Sequence, residues 1–133
     1  MTLDDYNHFC SQLPHASYIV QWGGSHVWKV GGKVFALGRE MGGREMRGRE
    51  MDEDDAQMAI SFKCSPFAYE LLSEQPGLRP APYLASRGFK WVQHYSGESM
   101  DDATLRDYLV ESHRLVAAGL PKKLRIEMKI DQK

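Results

Sequence analysis

Side chains able to carry proton, metal or covalent chemistry are few here: five histidines and two cysteines in 133 residues. Cys10 and Cys64 stand far apart with no Cys-x-x-Cys spacing, so neither a disulfide scaffold nor a cysteine-rich zinc site is expected. His8, His15, His26, His94 and His113 show no spacing of a ligand set. His94 and His113 would meet if the last strand packs under the long helix, but a buried, hydrogen-bonded histidine is the preferred reading of each. Asp4 and His8 share a helical face by their i,i+4 spacing, and Asp52-Glu53-Asp54-Asp55 is a denser run of carboxylates. Clustered oxygens of that kind suit hard cations, iron included, whereas two acids at a helix start also serve to complement its dipole. There is no phosphate-binding Gly-rich loop, no G-x-S-x-G and no H-E-x-x-H. The chain is expected to be non-enzymatic, with no cofactor and no metal centre.

Cations offer a different chemistry, the binding of a polyanion. Lys29 and Lys33 flank Gly31-Gly32, and Lys63, Arg87, Lys90, Lys122 and Lys123 follow along the chain. Charge as a whole is balanced, 17 basic against 18 acidic residues, unlike a strongly basic nucleic-acid binder. Its distribution is uneven. Residues 76–95 hold Arg79, Arg87 and Lys90 without an acid, while acids gather at 52–55 and from Glu98 to Glu111. Such segregation permits a local anion site. A hairpin tip bearing lysines can straddle phosphates, and Trp28 and Trp91 could stack on exposed bases. The competing reading makes the lysines solvated strand residues and puts both tryptophans in the core.

The frame for these residues is a folded domain. Apolar residues at 42%, charged at 26% and aromatics at 11% are globular values. No stretch approaches the ~20 apolar residues of a membrane span, and the acidic start Met1-Thr2-Leu3-Asp4-Asp5 does not resemble a secretory signal, so a cytoplasmic location is expected. The length suits one domain over residues 1–125 with a tail at 126–133, as a monomer or weak homodimer.

Leu3, Tyr6, Phe9, Cys10 and Leu13 fall on one helical face behind a Thr2/Asp5 capping box, and Pro14 ends the run. Ser17–Trp22, His26–Val30 and Lys33–Leu37 read as strands of an antiparallel meander, the last two joined by a type I′ turn at Gly31-Gly32. Gly-Arg-Glu-Met then recurs at 38–41, 43–46 and 48–51, a period of five that fits neither helix nor strand, and residues 39–55 are expected to be a loop. Met58–Cys64 alternates as a strand, Ser65-Pro66 opens a short helix, and Arg79–Tyr83 is an extended connector. Phe89–Tyr95 gives a fifth strand. Ser99 and Asp102 cap a long helix with Leu105, Tyr108, Leu109, Ser112, Val116 and Leu120 as its stripe. Leu124, Ile126, Met128 and Ile130 alternate with charge, as an edge strand or an ordered tail. The order predicts an α+β two-layer sandwich: an antiparallel sheet of about five strands covered on one face by the N- and C-terminal helices.

Several blocks resemble the MmcQ/YjbR family. They are Trp22-Gly23, Val27-x-Lys29-Val30-Gly31-Gly32-Lys33-x-Phe35-Ala36, Ser61-Phe62-Lys63-Cys64, Arg79-Pro80-Ala81-Pro82-Tyr83-Leu84, Trp91, Ser112-His113-x-Leu115-Val116 and Leu120-Pro121-Lys122-Lys123. The resemblance spans residue 3 to about 125 and breaks at the Gly-Arg-Glu-Met repeat. It implies a frataxin-like (CyaY-like) fold and a double-winged DNA-binding role, with no defined reaction. Two alternatives stand beside it: a small-molecule or peptide module with a groove walled by Pro80–Leu84, and frataxin-like metal binding.

Overall fold

Alternating apolar stretches and amphipathic helices assemble into one sheet and one helical layer. The computed structural model describes residues 1–41, 57–82, 84 and 88–129. In chain order these contain α1 (Leu3–Ser11), β1 (Ala16–Gln21), β2 (Ser25–Val30), β3 (Lys33–Met41), β4 (Gln57–Lys63), α2 (Pro66–Leu72), β5 (Leu78–Pro80), β6 (Trp91–His94), α3 (Asp102–Ala118) and α4 (Lys122–Glu127). The strands pair antiparallel throughout, in the order β1-β2-β3-β4-β6-β5. The chain is α+β, with α1 and α3 packed on one face of the sheet.

Four details depart from the sequence reading. Arg79 and Pro80, expected to open a connector, belong with Leu78 to a sixth strand, β5, at the sheet edge, where a proline's missing N–H leaves no inner ladder position empty. Arg39, Glu40 and Met41 continue β3 instead of starting a loop; residues 42–55 of that loop lie outside the described residues. Asp101, not Ser99, caps α3 by accepting from Thr104 N, and Ser99 Oγ instead donates to Pro76 O. The alternating tail is helical from Lys122 to Glu127. Leu124 and Met128 are four apart as well as two steps of an alternation, and the core takes them as a helical pair while Ile126 stays exposed.

Two close approaches set the layers. Tyr6 of α1 is fully buried, donates its hydroxyl to His26 O at 2.7 Å, and lies so close to Gly38 that a Cβ there would come 2.6 Å from its ring. The Gly31-Gly32 turn has φ of 57° and 82°, as a type I′ turn needs, and a Cβ on Gly31 would meet Leu120 and Leu124. The turn is thus seated on the end of the helical layer.

The register between β2 and β3 shifts at Trp28/Lys29: Trp28 faces Ala36, and Lys29 faces Val34, leaving Phe35 as the extra residue of a bulge. Adjacent residues Phe35 and Ala36 are both fully buried in the helical-side core. Downstream parity is therefore reversed, so that Gly38 turns to the helices while Leu37 and Arg39 turn to the opposite face. Continuing the β3–β4 register (Ala36 with Phe62) puts Phe35 opposite Lys63. A buried side chain stands between them: Ser112 Oγ of α3 donates to Phe35 O at 2.6 Å and accepts from Lys63 N at 2.8 Å.

Removing that hydroxyl strands two backbone groups at once. Ser112→Ala is expected to destabilise by roughly 2–4 kcal/mol. That is a fall in Tm on the order of 10 °C for a chain of this size, and a shift under about 2 °C would show the bridge to be dispensable. Helix starts give a pH dependence. Hydrogen bonds from Thr2 and from Thr104 hold the carboxyls of Asp5 and Asp101 below the usual carboxylate range. The folded state therefore binds fewer protons at these groups, and their contribution is present above about pH 4 and lost as pH falls further. Between about pH 6 and pH 3 the double variant Asp5→Asn, Asp101→Asn should lose less Tm than the parent, because an Asn side-chain oxygen at either position accepts the backbone N–H without titrating.

Candidate functional site

Antiparallel pairing decides which cations meet. β3 begins, β4 ends and β6 begins at the same end of the sheet, the end where the Gly31-Gly32 turn touches Leu120 and Leu124. Lys33, Lys63 and Lys90 therefore lie at one end, with Lys122 and Lys123 on the adjoining helix α4. Lys29 lies on β2 opposite Val34, close to the same turn. Parity divides them: Lys29 and Lys63 lie on the face away from the helices, and Lys33 and Lys90 on the helical side, where Lys90 Nζ sits 4.8 Å above the Tyr69 ring. The charge wraps around an end and is not a flat patch. None of these six lysines is ion-paired with a carboxylate among the described residues, where the pairs are Met1 N with Asp102 and Arg114 with Glu111. Arg87 lies outside the described residues.

The stacking reading of the tryptophans is corrected. Trp28 and Trp91 are each 7% exposed. Trp28 donates Nε1 to Asn7 Oδ1 at 2.9 Å and packs 4.9 Å from the Tyr18 ring, so its face is closed to a base. The exposed tryptophan is Trp22, 62% accessible in the loop between β1 and β2 and held at φ 53°. A bulky residue in the left-handed region is an uncommon arrangement that needs its surroundings to hold it.

Histidines and thiols do not assemble. His94 Nε2 donates to Met100 O at 2.9 Å and His113 Nε2 to Pro14 O at 2.7 Å, each carbonyl fixing the tautomer because it can only accept. The two rings serve different joints of the fold. Burial pushes the Cys10 thiol up to about 12 and the Cys64 thiol up to about 11. Among the described residues no three His, Cys, Asp or Glu side chains are grouped to hold a metal, and Asp5 of the acidic helix start is engaged in its capping box. The frataxin-like metal reading gains no geometry from these residues; Asp52–Asp55 lies outside them.

The sequence named Arg79 only as one cation of the acid-free stretch 76–95 and gave Arg39 no binding role. On the helix-free face the sheet floors a cavity of about 610 Å³. Trp22, Leu37, Ala59, Pro82 and Leu84 supply apolar wall. Ser61 and Gln93, 5% and 6% exposed, supply a polar floor. Arg39 and Arg79 stand at it, and no acid is among the described lining residues. Arg79 is held from two sides: its Nε donates to Gln93 Oε1 at 2.7 Å and its Cζ lies 4.8 Å over the Tyr95 ring. Pro82 and Leu84 belong to the segment read as one wall of a groove. Arg39 was hidden inside the repeat, and no residue type announces the bulge that turns it to this face.

An open antiparallel sheet with helices on one face and a cavity on the other defines a two-layer α+β protein. DR2400 from Deinococcus radiodurans, a protein with a DUF419 domain, shares this fold with a TM-score of 0.72 at 24% identity, over 96% of this chain and 88% of that one. A Pseudomonas syringae protein of known structure does so with a TM-score of 0.65 at 16% identity, over 87% and 99%. In sequence, the chain is 31% identical over 99 residues to YbdF of Escherichia coli O157:H7, an uncharacterized protein, covering 73% of this chain and 68% of the relative. The YjbR family model matches residues 11–115, and the chain belongs to the YjbR family. No helix among the described residues is long and apolar enough to cross a membrane.

Thiol chemistry offers a direct check on this placement of the cysteines. In the native protein near pH 7 both should be inert to a disulfide reagent such as DTNB, and both should react once denaturant unfolds the chain. Native modification within seconds would show that one of them is accessible.

Proposed function

We propose that this protein binds duplex DNA without catalysing a reaction, gripping the phosphate backbone with the lysines at the α4 end of the sandwich. One observation carries the reading. Lys33, Lys63, Lys90, Lys122 and Lys123 come from separate stretches of sequence, lie at one end of the fold, and have no ion pair among the described residues. The Gly31-Gly32 turn between Lys29 and Lys33 is seated on Leu120 and Leu124, which brings the β2–β3 lysines beside those of α4 on a rigid support. A charge that wraps around an end suits phosphates on both sides of a groove, and it carries no base-edge readout. The resemblance to double-winged DNA-binding proteins points the same way. With Trp28 and Trp91 buried, neither stacks on a base, and the affinity proposed for the lysine end is electrostatic.

The reading sets a salt dependence. About four phosphate contacts give a slope of log K against log salt near −3.6. The triple variant Lys33→Gln, Lys63→Gln, Lys122→Gln should flatten it by about 2.7. Fluorescence anisotropy with a labelled duplex measures both. Absence of binding at about 20 mM salt, or a slope untouched by the triple variant, would overturn the proposal.

A further inference from the structure

We infer that the cavity on the helix-free face of the sheet binds a small organic anion, an apolar ring or chain bearing one carboxylate or phosphate. The cavity lies on the helix-free face and runs from the β1–β2 loop and the distal half of β3 across Ser61 and Gln93 to Pro82 and Leu84, and none of the six lysines is among its described lining residues. At about 610 Å³ it is in the range that encloses small ligands. Its wall is mostly apolar, so the body of the ligand is apolar. Among the described residues its charged lining is cationic, Arg39 and Arg79, and neither is ion-paired with a described carboxylate.

The two arginines are arranged differently. Arg79 is pre-oriented, because Gln93 takes its Nε and Tyr95 supports its plane, which leaves the two terminal nitrogens to form the fork that matches a carboxylate or phosphate. Arg39 comes from β3, in register with Ala59 on the cavity floor. Ser61 and Gln93, buried at the floor, add short polar contacts. Trp22 is exposed at the mouth on a backbone that disfavours it, and an amphipathic indole is well suited to close over an apolar body. Duplex DNA does not suit this cavity, since its described walls are mostly apolar and concave and its described cations number two.

Three ligands with one apolar body separate the possibilities: 1-naphthol, 1-naphthoate and 1-naphthyl phosphate, each titrated into the full chain by calorimetry. At least one anion should bind about tenfold or more tighter than naphthol, the worth of one charge-assisted hydrogen bond. The tighter of the two anions identifies the headgroup. Arg39→Gln and Arg79→Gln should each weaken that anion by about tenfold while leaving naphthol unchanged. Trp22→Ala should weaken all three, and Ala59→Trp, which fills the floor, should abolish binding. If Ala59→Trp fails to fold, the arginine variants at the exposed rim still decide the matter. Equal binding of naphthol and both anions, no binding of any at millimolar concentration, or an anion preference that survives both arginine substitutions would overturn the inference. The triple lysine variant should bind the anion normally, so this site stands or falls independently of the DNA reading.

Discussion

A single buried hydroxyl holds the two layers in register. Ser112 sits where β3 and β4 would hydrogen-bond directly if β3 had no extra residue, and it replaces that bond with a bridge through the helix. Without it the bulge at Phe35 would leave a carbonyl and an amide facing each other across a dry gap. With it, the second half of α3 is fixed: Ser112 grips the sheet, His113 grips Pro14 just beyond α1, and Leu120 just beyond α3 supports the β2–β3 turn. Stability and placement of the surface groups both follow from where that helix lies.

The sandwich separates its chemical resources. One end collects lysines at strand termini and on α4, and the helix-free face collects two arginines around an apolar hollow. Neither arrangement uses a nucleophile, and both histidines with buried ring nitrogens are engaged with backbone carbonyls. Recognition of anions, extended in one case and compact in the other, is what this distribution of charge favours. Lysine suits the first because a mobile point charge tolerates a variable phosphate path. Arginine suits the second because a planar fork fixes orientation.

Much of the architecture was legible in the residues. Gly31-Gly32 between alternating stretches required a hairpin, and the stripe of α3 required a covering helix. The antiparallel order of the meander followed from its short turns. What was not legible depended on contacts across the chain. Leu124, Ile126 and Met128 satisfy two periodicities, and only the pocket left by Leu120 and the β2–β3 turn chooses the helix. Arg79-Pro80 could not be recognised as a strand because three residues at an edge carry little pattern. Trp28 needed Asn7 and Tyr18 to bury it. The lysine end was readable in its members though not in its shape, and the cavity was readable only at its Pro82–Leu84 wall.

The bulge in β3 has a consequence for how this chain can change. A strand assigns side chains to faces by counting, odd to one side and even to the other, and Phe35 resets the count. Every residue from Leu37 onward takes its side from that single insertion. Deleting one residue there would exchange the contents of interior and hollow: Arg39 would be driven against Tyr6, and Gly38 would leave the hollow's rim bare. The interior and the hollow are therefore written in one phase, and neither can drift in sequence length without the other.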